Sequence, residues 1–119
     1  HKDFLSTRDI STIFRSLYSS TYLLNSYSEQ ALELLTQTKF DKGITQGVDP
    51  SIQVAHKFGE HTVYYEDKTI PTDFELHDCG IVYYPRKPYF VCVMTKGKSL
   101  ANLEKVIGDV SKITQTFVK

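Results

Sequence analysis

At 119 residues, with 40% hydrophobic and 24% charged side chains, the chain has the size and balance of one globular unit with a single core. Its 14 Lys+Arg and 14 Asp+Glu cancel, so the charge gives no pointer to nucleic acid or an anionic membrane surface. The chain has no run of about 18 apolar residues that could span a bilayer, and His1-Lys2-Asp3-Phe4 lacks the apolar stretch of a secretory signal.

The first part of the chain reads as helical. Ser6 or Thr7 followed by Asp9 resembles a helix start, because a hydroxyl accepts from first-turn amides and a carboxylate complements the positive end of the dipole. Ile10, Ile13, Phe14 and Leu17 then recur at helical spacing over Thr7–Tyr18, and Ser19-Ser20-Thr21 breaks the pattern. After the connector Tyr22-Leu23-Leu24, Ser26 and Glu29 suggest a capping box for a second helix, Ser26–Thr38, with Ala31, Leu32, Leu34 and Leu35 on its buried face. Gly43, Gly47 and Asp49-Pro50 mark loops that end this helical segment, 1–52.

From Gln53 the period shortens. Gln53–Phe58, Thr62–Tyr65, Phe74–His77, Ile81–Tyr84 and Phe90–Thr95 are short runs rich in Val, Ile, Tyr and Phe. Pro85-Arg86-Lys87-Pro88 makes Gly80–Tyr84 and Tyr89–Thr95 a hairpin, while Glu66–Asp73 is polar and turn-rich. Ser99 can cap a last helix, in which Leu100, Leu103, Val106, Ile107, Val110, Ile113 and Phe117 form an amphipathic stripe. The expected fold class is α+β: two N-terminal helices, an antiparallel sheet of about three main strands, and a C-terminal amphipathic helix, with 53–119 holding the strands and last helix of one unit. Such a thin sheet leaves Tyr89–Met94 poorly suited to an exposed edge, so that strand wants a further neighbour.

Few residues point to chemistry by themselves. His1, His56, His61 and His77 lack the spacing of a metal site, and the scattered glycines match no phosphate or dinucleotide loop, so no metal and no cofactor is expected. Cys79 and Cys92 sit among apolar neighbours and read as buried thiols, with a disulfide or a reactive cysteine as the other readings. The eight tyrosines read as core and sheet-face residues.

Lys57-Phe58-Gly59 is the exception. A lysine, one residue and a glycine, on a strand that follows helices and precedes a hairpin and a last helix, is similar to the Lys-Thr-Gly box of the penicillin-recognising serine hydrolases. The order of neighbours strengthens it. The two helices, the run Lys39-Phe40-Asp41-Lys42-Gly43-Ile44, the Gly47-Val48-Asp49-Pro50 turn, Val54–Glu60, the strand His77-Asp78-Cys79-Gly80-Ile81-Val82-Tyr83-Tyr84 and the closing helix resemble the class A β-lactamase-like family, from after its Ω-loop to its C-terminus.

That resemblance implies roles. Lys57 would hold a substrate carboxylate and link to the catalytic hydroxyls, Gly59 would let substrate lie close against the strand, and the Glu60 backbone N–H would be an oxyanion-hole donor. His77 falls near an arginine that meets the carboxylate in some class A enzymes. Phe58 occupies the substrate-binding position of a threonine or serine but has no hydroxyl to donate. The chain has neither Ser-x-x-Lys nor Ser-x-Asn, and Thr36-Gln37-Thr38-Lys39 sits at a helix end. The resemblance therefore implies the C-terminal part of an extracytoplasmic acyl hydrolase for β-lactam or D-Ala-D-Ala-type substrates, inactive alone and partnered by the N-terminal half of its own domain. A non-catalytic binding module on the same fold, for a peptide, a cell-wall ligand or a protein, is the alternative, and an unrelated small α+β domain is the third reading.

Overall fold

The computed structural model describes residues 5–66 and 69–119; the readings made at His1–Phe4 and at Asp67 and Lys68 lie outside the described residues. The elements run α1 (Thr7–Tyr18), α2 (Asn25–Thr36), a 3-10 turn (Ile44–Gly47), β1 (Val54–Tyr64), β2 (Pro71–Val82), β3 (Tyr89–Gly97) and α3 (Leu100–Val118). The three strands form one antiparallel sheet in the order β1-β2-β3, which bears out the α+β expectation.

Helix α1 begins where expected, and its cap is reciprocal. The Ser6 hydroxyl accepts from the Asp9 N–H at 3.1 Å, and the Asp9 carboxylate accepts from the Ser6 N–H at 2.9 Å. The Ser6 backbone N–H and, after it, the Ser6 hydroxyl hold the Asp9 carboxyl below its ordinary value of 3.8. A depressed carboxyl stabilises the fold above its unfolded value, and that contribution is lost as the pH falls through the folded one. Thermal melts between pH 6 and 2 are therefore expected to show less acid sensitivity for Asp9→Asn than for the unaltered protein; equal sensitivity would mean the cap is not formed in solution.

Helix α2 departs from the expectation. It starts at Asn25 after Leu24 and carries no side-chain cap, so Ser26 is not the N-cap. Glu29 instead accepts from the Asn25 side chain at 3.3 Å, within the helix, and the last turn closes at Gln37 rather than Thr38. The five short runs are also three long strands. Gly59-Glu60-His61 carries β1 through, and Asp78-Cys79-Gly80, which read locally as a break, carries β2 through because the Asp78 carboxylate is consumed by internal partners. Strand β2 also begins at Pro71, inside the polar, turn-rich segment Glu66–Asp73. The hairpin into β3 is as expected: Lys87 N–H donates to the Tyr84 carbonyl at 3.0 Å, with Arg86 at φ 64°.

Register assigns the faces. Val54 and Val82, with Leu76 and Val91 in the same phase, pack with Ile44, Val48, Leu103 and Ile107 into one core beneath α3. Each such side chain stabilises the fold by about 1.5–3 kcal/mol. Ala55, Ile81 and Cys79 on the opposite face pack with Phe14 and Leu32 from α1 and α2. Only part of the α3 stripe is used: Leu103 and Ile107 are buried, whereas Val106, Val110, Ile113 and Phe117 are exposed, Phe117 at 91%.

The cysteines correct the thiol reading. Cys79 and Cys92 face each other across β2 and β3 and form a disulfide. Single-sequence reading had no register with which to bring them together. Linking residues 13 apart contributes about 3 kcal/mol by restricting the unfolded chain. No helix of the described residues is long and apolar enough to cross a membrane.

Candidate active-site strand

Strand β1 lies at one edge of the sheet, paired among the described residues with β2 alone. The phase of its backbone follows from one bond at its start, where the Tyr83 N–H donates to the Gln53 carbonyl at 3.0 Å. In an antiparallel ladder, N–H and C=O of one residue point the same way and alternate along the strand. Odd-numbered residues of β1 thus turn their backbone groups to β2, and even-numbered ones turn them outward. Two contacts agree: the His56 carbonyl accepts from the Thr38 hydroxyl at 2.8 Å, and the Phe58 carbonyl accepts from the Lys57 ammonium at 2.8 Å. Glu60 follows in the same phase, so its N–H faces the open edge.

The side chains divide by the same alternation. Lys57 and Gly59 share the face of their partners Cys79 and His77. Lys57 is exposed and His77 half-buried, with Met94 opposite His77 on β3. A Cβ on Gly59 would run into the His77 imidazole, so the glycine is what lets that ring lie across the strand. Phe58 points to the other face, where its ring stacks on Phe40 at 4.1 Å between centroids and 11° between planes. Lys57, Gly59 and His77 thus share one face by strand position, but the Lys57 ammonium turns to the outer edge, where the Phe58 carbonyl and the Glu60 N–H point, and the body of Phe58 packs against the run that follows α2.

Beneath this strand lies a polar network that the sequence reading missed. His56 and Asp78 are 1% and 0% exposed, and the His56 Nδ1 lies 2.9 Å and 3.1 Å from the two Asp78 carboxylate oxygens. Asp78 also accepts from the Ile44 N–H at 2.9 Å, and the Ile44 carbonyl accepts from the buried Ser111 hydroxyl at 2.6 Å. Gly43 makes room for this, since a Cβ there would strike the Asp78 carboxylate. The network ties β1, β2, the 3-10 turn and α3 together at the residue before Lys57. A signal existed: alternation puts Asp78 in phase with Leu76 and Val82, a core position for an acidic side chain. Among the described residues no group of three or more His, Cys, Asp or Glu side chains is arranged to hold a metal ion.

The fold has relatives. It is similar to the structure of PBP-A, with a TM-score of 0.74, 20% identity, and coverage of 94% of this chain and 39% of that one. It is likewise similar to the TLA-1 extended-spectrum β-lactamase, at 0.71, 20%, 91% and 40%. A class A β-lactamase from Bacteroides cellulosilyticus DSM 14838 superposes at 0.69, 14%, 89% and 38%. The chain thus spans about two fifths of the length of these proteins. None of the curated proteins matches it in sequence. The sequence model described as the beta-lactamase enzyme family covers residues 1–118. Over nearly its whole length, then, the chain belongs to the beta-lactamase enzyme family.

Proposed function

We propose that this chain supplies one wall of the active site of an extracytoplasmic serine acyl hydrolase that acts on β-lactam or D-Ala-D-Ala-type substrates when intact. The observation that carries the reading is the alignment of Lys57, Gly59 and the outward Glu60 N–H along the free edge of β1, beside His77, in a chain of this family. Lys57 attracts the substrate carboxylate from the strand edge, with His77 on the neighbouring face. Gly59 admits the substrate backbone. The Glu60 N–H stabilises the oxyanion as the acyl carbon becomes tetrahedral. The serine and its lysine come from outside these 119 residues, which contain no Ser-x-x-Lys.

The partner in this reading is the N-terminal half of the same domain. Support comes from the outer edge of β3, which has no strand beside it among the described residues, and from the exposed Val106, Val110, Ile113 and Phe117 of α3. The cross-strand disulfide supports an oxidising compartment. One observation favours a non-catalytic binding module instead: Phe58 packs on Phe40 and offers no hydroxyl. Nitrocefin hydrolysis or labelling by a fluorescent penicillin separates the two readings. The hydrolase reading expects one of these activities from the full-length protein and neither from the 119-residue chain; a folded full-length protein with neither activity sinks it.

A further inference from the structure

The lysine of this strand is held in an unusual way for a residue so exposed. Its ammonium donates to the carbonyl of the next residue, Phe58, at 2.8 Å, and lies 5.0 Å from the centroid of the Phe58 ring. One face of that ring is covered by Phe40, stacked at 4.1 Å, which leaves the other face for the ammonium. A cation over an aromatic face is attracted by the ring quadrupole, and a ring clamped from behind holds it in a defined place. An ammonium has three donors, so the Phe58 carbonyl leaves two for a ligand.

We propose that Phe58 is a positioning residue for Lys57: its carbonyl and its Phe40-backed ring fix the ammonium at the open edge of β1, where the family's box has a hydroxyl. The lysine side chain folds round the strand edge, because its own position faces the α1 and α2 side while the Phe58 carbonyl points outward. Phe40 acts one step further back, by stopping the Phe58 ring from turning. The result is a carboxylate site built on a placed point charge, with no side-chain hydroxyl from residue 58 to share the ligand. The use of that charge rests on the acyl-hydrolase reading; its placement does not.

Two readouts on the full-length protein separate these levels. The first is the NMR position of the Lys57 ε-protons, assigned with Lys57→Arg. Stacking over a ring predicts an upfield displacement in the unaltered protein, lost in Phe58→Leu, kept in Phe58→Tyr and reduced in Phe40→Leu. The second is the ratio of acylation rates for a penicillin and its methyl ester. Phe58→Leu is expected to lower that ratio about two- to fivefold, with Phe58→Tyr restoring it. Ordinary ε-proton positions in the unaltered protein, or a displacement that survives Phe58→Leu, overturn the proposal, as does an unchanged ratio in an acylated Phe58→Leu protein. If no variant is acylated, the hydrolase reading fails and the ε-proton displacement alone decides the placement. Should Phe58→Leu not fold, Phe40→Leu carries the same comparison.

Discussion

Asp78→Ala is expected to cost about 3–5 kcal/mol of folding stability, because it leaves His56 without its buried partner and the Ile44 N–H without its acceptor. Since domains are typically stable by only about 5–15 kcal/mol, that loss is a large fraction of the total. Both side chains are sealed from water, so neither freed group can recover its hydrogen bonds by hydration. Asp78→Asn should cost less, about 1–3 kcal/mol, since an amide oxygen can still accept from one donor. Urea unfolding of the full-length variants measures both. A loss under about 1 kcal/mol for Asp78→Ala would mean that the network does not hold β1, the 3-10 turn and α3 together.

Lys57→Met should behave in the opposite way. The side chain is exposed, and its hydrogen bond and ring contact are with its neighbour Phe58, so stability is expected to stay close to that of the unaltered protein. Acylation of the full-length protein by a penicillin should instead fall by about 10²–10³-fold, the scale for removing one preorganised electrostatic group from an acyl-transfer site. Lys57→Arg keeps the charge but not its compact geometry, so it should recover only part of the loss. Steady unfolding midpoints together with a collapse in acylation would separate a functional lysine from one that keeps an edge strand soluble. An unchanged acylation rate in Lys57→Met would remove the lysine from the reaction.

Much of the architecture was legible in local pattern. The 3.6-residue period of Ile10, Ile13, Phe14 and Leu17 gives α1, and Pro85–Pro88 gives the β2–β3 hairpin. Local reading failed where tertiary partners override residue type. Asp78 and Gly80 look like a turn by propensity, yet the aspartate's carboxylate finds its hydrogen-bond partners inside the fold and the glycine makes room for Ala55 and His56 of β1. Ser26 and Glu29 have capping-box spacing, but the cap position is Leu24 and Asn25 is already helical, so the motif starts two residues too late. The disulfide and the Phe40–Phe58 stack depend on register and on a contact across 18 residues, which no single window contains. At the candidate site, Lys57, Gly59 and Glu60 were readable as a strand motif, whereas the outward phase of the Glu60 N–H needed the β1–β2 register.

The central claim is that this strand works within an acyl-transfer site, and intact-protein mass spectrometry of the folded full-length protein after incubation with benzylpenicillin tests it most directly. The account predicts a gain of one penicilloyl group per molecule, strongly slowed in Lys57→Met. A folded protein that gains no covalent mass, or that gains it equally fast without Lys57, would contradict the account.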